Sequence, residues 1–331
     1  MEVIKGVERW KDRAPLFVAL GNFDGVHAGH RRILARAVER AAEAGVKSAA
    51  LVFNPHPLKV LRPGQPLYLL TDMADRAGLM ASLGLDYLIV EPFNLEMASL
   101  SPEQFVKNIL MEKLKVKGVV VGCDYSFGRG GQGKAENMRA LGEELGFAVE
   151  ICPLVLVEGI VVSSSAIRQF LLRGDVRRAA KLLQHPFFRR GKVVRGRGIG
   201  NRLIYPTANI GVSPDLLWPG YGVYLTAVGG LEGGCLFGVT NVGPQPTLQR
   251  EEPSVETHIL DYRGELYDRE ICLYFLEKLR EIKAFPSTEH LREQIGRDIA
   301  QARKLIEGRY AGFRGEAGFP LPGAAAGADR N

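Results

Sequence analysis

This sequence predicts an α/β domain built on a parallel sheet, then a smaller antiparallel β domain with a helix at its end. Three observations carry the prediction. In the first half, short apolar runs alternate with helix-like stretches, the pattern of a parallel sheet covered on both faces. From about residue 186 the apolar runs shorten, Gly and Pro become more frequent and strand-like stretches recur between turn residues, the texture of a small barrel or sandwich. The 331 residues also exceed one ordinary hydrophobic core, so two domains of ~100–200 residues are expected.

Taken in order, residues 16–20 (LFVAL) read as a short buried strand. After Ala28, apolar residues recur at Ile33, Leu34, Ala37, Val38 and Ala41 with the spacing of a helix face. A strand, a glycine-rich turn and a helix open a βαβ unit. Further strands are predicted at 48–53 (SAALVF), 86–93 (DYLIVEPF) and 117–122 (KGVVVG). In the second half the strand candidates are GKVV, GVYLTAV, GCLFGVTNV, VETHILDY and REICLYFLE. Near the end, Leu291, Ile295, Ile299, Ala302, Leu305 and Ile306 fall on one face of a long helix, expected to cap the barrel. The expected domains are 1–185 and 186–312, followed by a tail, 313–331, with little to bury and expected to be disordered.

Composition excludes several classes. Hydrophobic residues at 46% and charged residues at 24% match an ordinary globular chain, not a disordered or fibrous one. The four cysteines, Cys123, Cys152, Cys235 and Cys272, form no CxxC or Cys/His cluster, which disfavours a zinc site or disulfide framework and reads as reduced, structural thiols. No apolar run approaches the ~20 residues needed to span a bilayer, and the N-terminus lacks a signal peptide's order. A cytoplasmic protein is expected. The formal charge of +6 fits nucleic acid or nucleotide phosphates equally. Between His185 and Tyr205 six residues are basic and none acidic, yet the aromatics Phe187, Phe188 and Tyr205 flank that run without alternating through it as stacking platforms would. An RNA-binding module is therefore the rival from another class, and nucleic acid is not the expected partner.

The most informative segment is GNFDGVHAGH (21–30), which puts His27 and His30 three apart where a strand turns into a helix. Residues so spaced share one side of a helical turn, so both imidazoles can face one ligand. Free backbone N–H groups and the positive helix end favour an anion there, and phosphate is the natural candidate. Gly21, Gly25 and Gly29 permit a tight turn and close backbone approach. The geometry suits nucleotidyl transfer, where charge builds on the α-phosphate without a covalent enzyme intermediate. A zinc pair is disfavoured because the Glu of HExxH is missing. The serines and Arg168 of VSSSAIR (162–168) can form a second anion site facing the first, or simply cap a helix. GRGGQG (128–133) is a glycine-rich loop with no GK[ST] to make a P-loop.

These motifs together resemble the prokaryotic bifunctional riboflavin kinase and FMN adenylyltransferase family, over nearly the whole chain except the tail. GNFDGVHAGH is similar to its nucleotidyltransferase signature, FNPHP (53–57) to its second segment, VVVGCDYSFGRGGQG (119–133) to its third and VSSSAIR to its fourth. The resemblance implies a Rossmann-like nucleotidyltransferase domain in which His27 and His30 hold the ATP phosphates, with Gly21, Phe23, Asp24 and Gly25 completing that site. Ser164 and Arg168 would close over the triphosphate. Asn54, Pro55, His56, Pro57, Asp124, Tyr125 and Phe127 would form the flavin pocket, although Tyr125 and Phe127 also fit a core.

In the second half YPTANI (205–210), NVGPQPTL (241–248) and VETHILDY (255–262) resemble motifs of the riboflavin kinase domain, an antiparallel barrel with a C-terminal helix. The resemblance places Thr207 and Asn209 beside Mg²⁺ and the ATP phosphates, with Gly200 and Pro206 in the same site, and makes Glu256 the catalytic base. Oxygen ligands suit the hard Mg²⁺ ion, and a carboxylate can take the proton of a primary hydroxyl. Glu256 on its own also reads as an outward-facing charge on a strand. The chain departs from the family at Asn201, where Arg is usual, and Ile204, where Gly is usual; a β-branched residue forbids positive φ and can reshape that loop. A single-activity adenylyltransferase with a flavin-binding barrel is the closer rival. The expected substrates are ATP, riboflavin and FMN, and the sequence leaves oligomeric state open, a homo-oligomer included.

Overall fold

Leu16–Leu20 is buried at every position, as a strand covered on both faces must be. The computed structural model describes residues 1–10, 14–195, 206–231, 234–244 and 253–313. The chain divides into two compact units between Ser164 and Ser165, ahead of the boundary expected at residue 185.

In chain order the first unit contains β1 (Glu2–Lys5), a 3-10 turn (Val7–Trp10), β2 (Leu16–Leu20), α1 (Ala28–Glu43), β3 (Lys47–Asn54), α2 (Pro57–Leu61) and α3 (Met73–Ala81). Next come β4 (Tyr87–Pro92), α4 (Leu95–Ser99), α5 (Pro102–Gln104) running into a π-helical stretch (Phe105–Lys113), and β5 (Val116–Gly122). A small hairpin of β6 (Ser126–Phe127) and β7 (Gly133–Lys134) leads to α6 (Ala135–Leu145), β8 (Ala148–Cys152) and a second hairpin of β9 (Leu156–Val157) and β10 (Ile160–Val161). Six strands form a sheet in the order β1-β4-β3-β2-β5-β8, every neighbouring pair parallel. From β2 the chain winds one way to β3 and β4 and then the other way to β5 and β8. That reversal opens a crevice beyond the carboxyl ends of β2 and β5, where open α/β sheets bind ligands.

Glu91, at the end of β4, is buried and accepts the Val7 N–H at 2.6 Å, tying the N-terminal turn to the sheet. Burial pushes its carboxyl above the usual carboxylate range. A carboxyl raised in the folded state binds its proton more tightly there, so its ionisation costs stability as pH rises through the folded value. Glu91→Gln keeps the acceptor without the charge. It is expected to raise the melting temperature at pH 7, with the gain vanishing as pH falls below the unfolded carboxyl range; a melt series across pH checks this.

α7 (Ser164–Leu172) begins at the division. The second unit continues with α8 (Val176–Leu183), β11 (Phe187–Val194), β12 (Ala208–Ile210), β13 (Gly222–Leu231), β14 (Gly234–Pro244), β15 (Pro253–Ile259), β16 (Glu270–Arg280) and α9 (Thr288–Glu307). The six strands close into a barrel in the order β11-β12-β15-β14-β13-β16, all pairs antiparallel. Of the two architectures the texture allowed, the chain forms the barrel. Thr226, Thr240 and Thr257 are buried side by side in it, with Thr240 Oγ1 bonded to both other hydroxyls; each supplies a partner for the next, which removes the penalty of a buried hydroxyl.

The terminal helix packs on β14 and β16 less through its apolar stripe than expected. Of the six predicted residues only Ala302 is fully buried, the others being half-buried. The anchor is Asp298, buried and bidentate with Arg280 of β16 at 2.9 Å (Nε–Oδ1) and 2.7 Å (Nη2–Oδ2), a fork geometry that fixes orientation. The thiols also differ from one another: Cys152 and Cys272 are buried and Cys235 half-buried, but Cys123 is exposed, so the structural reading does not extend to it. The tail beyond 313 lies outside the described residues.

Candidate active site

The turn leaving β2 is strained. Phe23 and Val26 adopt φ of 52° and 41°, and Gly25 a φ of 85°. A β-branched residue at positive φ is a steric outlier that persists only where its surroundings over-determine it. Here the surroundings are a buried clamp. The Asp24 carboxylate accepts the N–H groups of Leu70 and Thr71 at 3.0 Å each and the Thr71 hydroxyl at 3.2 Å. Thr71 Oγ1 in turn accepts the Gly25 N–H at 3.0 Å. Arg76 of α3 lies 3.4 Å from Asp24 and donates to Asn22 O at 2.9 Å and Thr71 O at 3.2 Å. Asp24 and Arg76 are almost wholly buried, so the Asp24 carboxylate, expected in the ATP site, is turned into the clamp that holds the turn. Arg76→Met would take the guanidinium away from the buried carboxylate while the Leu70 and Thr71 donors remain. The expected cost is about 3 kcal/mol, the low end of the range for breaking a buried pair, read as a lower melting temperature of the first unit.

The clamp aims the histidines. His27 caps α1, its Nδ1 accepting the His30 N–H at 3.3 Å. The two rings stack at 3.5 Å between centroids, 16° from parallel, and His30 meets Phe23 edge-on at 5.3 Å. A Cβ on Gly29 would come within 3.3 Å of the His27 ring and one on Gly21 within 3.1 Å of Phe23, so these two glycines make room for the rings. Ser164 donates to Asp24 O at 2.9 Å and stands on the same wall. Arg168 belongs to the second unit.

The crevice holds a cavity of about 500 Å³, the size of a small-ligand site. His27, His30 and Ser164 line one part of it, and His56, Pro57, Asp124, Tyr125 and Phe127 another. His56 caps α2, its Nδ1 accepting the Leu58 N–H at 3.2 Å. Asn54 and Pro55, joined by a cis peptide, are exposed just before it. Tyr125 and Phe127 lie nearly parallel, 5.7 Å apart. Phe127 is buried and packs on Phe105; Tyr125 is half-buried, and burial pushes its phenol up, keeping it a neutral donor. Phe53, Phe93 and Phe105 extend this aromatic wall. These three, with Asn22, Thr71 and Arg76, were not singled out from sequence. Phe53 and Asn22 sit inside quoted motifs, whereas nothing local marks Thr71 or Arg76.

In the second unit the barrel register brings two predicted residues together. Asn209 of β12 pairs with Glu256 of β15, which on its other side pairs with Asn241 of β14. Directly opposed residues share one face of a sheet, so Glu256 is flanked by two side-chain amides and also accepts from Ser254 Oγ at 3.4 Å. Its strand neighbours Val255 and Thr257 are buried while Glu256 is half-buried, as alternation requires. His258 bonds Pro206 O at 2.9 Å, tying the start of the PTAN segment to the Glu256 strand. Thr207 and Asn209 are half-buried. Gly200, Asn201 and Ile204 lie outside the described residues.

Two family models match the chain in succession. A family model described as FAD synthetase matches residues 10–166, and one described as riboflavin kinase matches 183–306. A bifunctional riboflavin kinase/FMN adenylyltransferase from Pseudomonas fluorescens is 37% identical, covering 92% of this chain and 98% of its own. The Bacillus subtilis protein of the same description is 34% identical over 88% of this chain and 93% of its own. A crystal structure described as a macrolide-efflux protein from Streptococcus pneumoniae superposes with a TM-score of 0.83 at 29% identity, covering 92% of this chain and 99% of that one. Among the described residues of this chain, no helix is long and apolar enough to cross a membrane. With both family models matched in order and identity above 30% along nearly its whole length, this chain belongs to the bifunctional riboflavin kinase/FMN adenylyltransferase family.

Proposed function

We infer that this protein makes FAD from riboflavin in two ATP-dependent steps. ATP first phosphorylates riboflavin to FMN in the barrel, releasing ADP; a second ATP then adenylylates FMN in the first unit, releasing pyrophosphate. The order follows from chemistry, because adenylylation needs the phosphate that the kinase installs. The observation that carries this reading is the presence, on separate units, of a stacked histidine pair at a helix start and a carboxylate between two amides on a barrel face.

In the first site the FMN phosphate attacks the α-phosphate of ATP, and His27 and His30 stabilise the charge that develops there, together with the N-terminus of α1. The aromatic wall of Phe53, Phe93, Phe105 and Tyr125 suits the flat flavin ring. In the second site Glu256 takes the proton of the terminal ribityl hydroxyl as that oxygen attacks the γ-phosphate of ATP. The neutral oxygens of Thr207 and of Asn209, which pairs with Glu256 across the ladder, would suit a hard divalent ion that keeps waters and substrate phosphates as its other ligands. Mg²⁺, if held there, would neutralise phosphate charge. The same reading places the protein in the cytoplasm, where both nucleotides are made available.

Flavins separated by chromatography after incubation with ATP and Mg²⁺, once from riboflavin and once from FMN, test this. FAD from both starts is the expected result. FAD from FMN alone would leave an adenylyltransferase with a disabled kinase module, and the substitutions at Asn201 and Ile204 make that the second reading.

A further inference from the structure

Ser254 and Glu256 stand two apart on β15, on the face opposite the buried Val255 and Thr257. Ser254 Oγ donates to Glu256 Oε1 at 3.4 Å. Among the described residues no other side chain donates to that carboxylate. The amide of Asn241, its ladder partner on β14, lies along its own strand: a Cβ built on Gly243 would come within 3.4 Å of Asn241 Nδ2 and 3.0 Å of Ile282 Cδ1. Gly243 is in turn the ladder partner of Ser254. Across the ladder, therefore, the serine meets a glycine and an apolar methyl, and no side-chain acceptor there competes with Glu256 for its proton.

We propose that Ser254 is a positioning residue of the kinase site, holding Glu256 by Oε1 so that Oε2 takes the proton of the ribityl hydroxyl. This rests on the functional reading above. A half-buried glutamate side chain is flexible, and a general base works only when it is kept within hydrogen-bond reach of the proton it accepts. A donor on one carboxylate oxygen fixes the rotation of the group and leaves the lone pairs of the other for substrate. The present 3.4 Å is long for a hydroxyl–carboxylate bond, and catalytic hydrogen bonds of this kind tighten when substrate is bound. In the step itself the hydroxyl proton passes to Oε2 as the ribityl oxygen bonds the γ-phosphorus. The bond from that phosphorus to the β,γ-bridging oxygen breaks, its electron pair leaves with ADP, and Ser254 keeps its own proton throughout.

Steady-state rates of FMN formation from riboflavin test this in four chains beside wild type: Ser254→Ala, Ser254→Thr, Glu256→Gln and the Ser254→Ala/Glu256→Gln double variant. Ser254→Ala is expected to lower kcat by about tenfold, the size of one hydrogen bond to a charged group, with KM for riboflavin and for ATP little changed. Ser254→Thr keeps the hydroxyl and should recover most of the rate, which separates loss of the donor from disturbance of the strand. In the Glu256→Gln background the alanine substitution should cost nothing further, because no base is left to hold. An equal fold-loss in both backgrounds would overturn the proposal, since Ser254 would then act by some route other than Glu256. A rise in KM for riboflavin or ATP at unchanged kcat would overturn it too, by making Ser254 a substrate contact. So would a wild-type kcat in Ser254→Ala beside a slow Glu256→Gln, and that result would leave the functional reading standing. A wild-type chain that formed no FMN, or a Glu256→Gln chain as fast as wild type, would instead sink the functional reading and the proposal with it.

Discussion

His30→Ala is expected to lower FAD formation from FMN by about 10²–10³-fold, the usual loss when one preorganised donor to developing charge is removed, while FMN formation from riboflavin continues. His30 is a cleaner probe than His27. The His27 side chain caps α1, so replacing it would add a folding cost of roughly 0.5–2 kcal/mol to any catalytic loss. His30 contributes only its backbone N–H to that cap, which alanine retains. Its ring touches His27 and Phe23, so the packing loss stays beside the site. Rates of both half-reactions on one preparation decide the matter: loss of both activities in a folded chain would refute the assignment of two sites.

Glu256→Gln should give the reciprocal result, with FMN formation down by about 10²–10⁴-fold, as expected for removal of a general base, and FAD formation from FMN intact. Glutamine keeps the shape of the side chain and leaves the backbone pairing of Glu256 with Asn209 and Asn241 untouched, so β12, β15 and β14 have no reason to move. Only the capacity to accept the ribityl proton is lost. Starting from riboflavin, the variant should form FMN only at that reduced rate; starting from FMN, it should be indistinguishable from wild type.

Much of this could be read from the chain, because the decisive patterns are local. LFVAL, SAALVF, DYLIVEPF and KGVVVG became β2, β3, β4 and β5, since strands buried on both faces leave continuous apolar runs. β1 and β8 went unread. They are edge strands, and EVIK and AVEIC are not continuous apolar runs. The histidine signature marked the turn that carries His27 and His30 but not what supports it. Asp24 read as a ligand contact, yet its carboxylate is filled by Leu70, Thr71 and Arg76, more than forty residues away, and no short-range pattern reports such a pairing. Likewise, a helix periodicity scan passes over Asp298 because it is charged, although Arg280 makes its burial the anchor of α9. The juxtaposition of Asn209 with Glu256 depends on strand register, which becomes visible only once the barrel is closed.

The clamp around Asp24 also has a kinetic consequence. The amides of Gly25, Leu70 and Thr71 are held by side-chain oxygens of Asp24 and Thr71 and belong to no strand or helix ladder. None of them can open alone without stranding the others, and release would also let Phe23 and Val26 relax to ordinary φ. These three amides should therefore exchange with deuterated solvent as one set, at a common rate slower than that of neighbouring loop amides, because they open in a single cooperative event. The turn proposed to receive ATP would then behave as part of the rigid body of its domain, its ordering completed at folding and not deferred to the arrival of substrate.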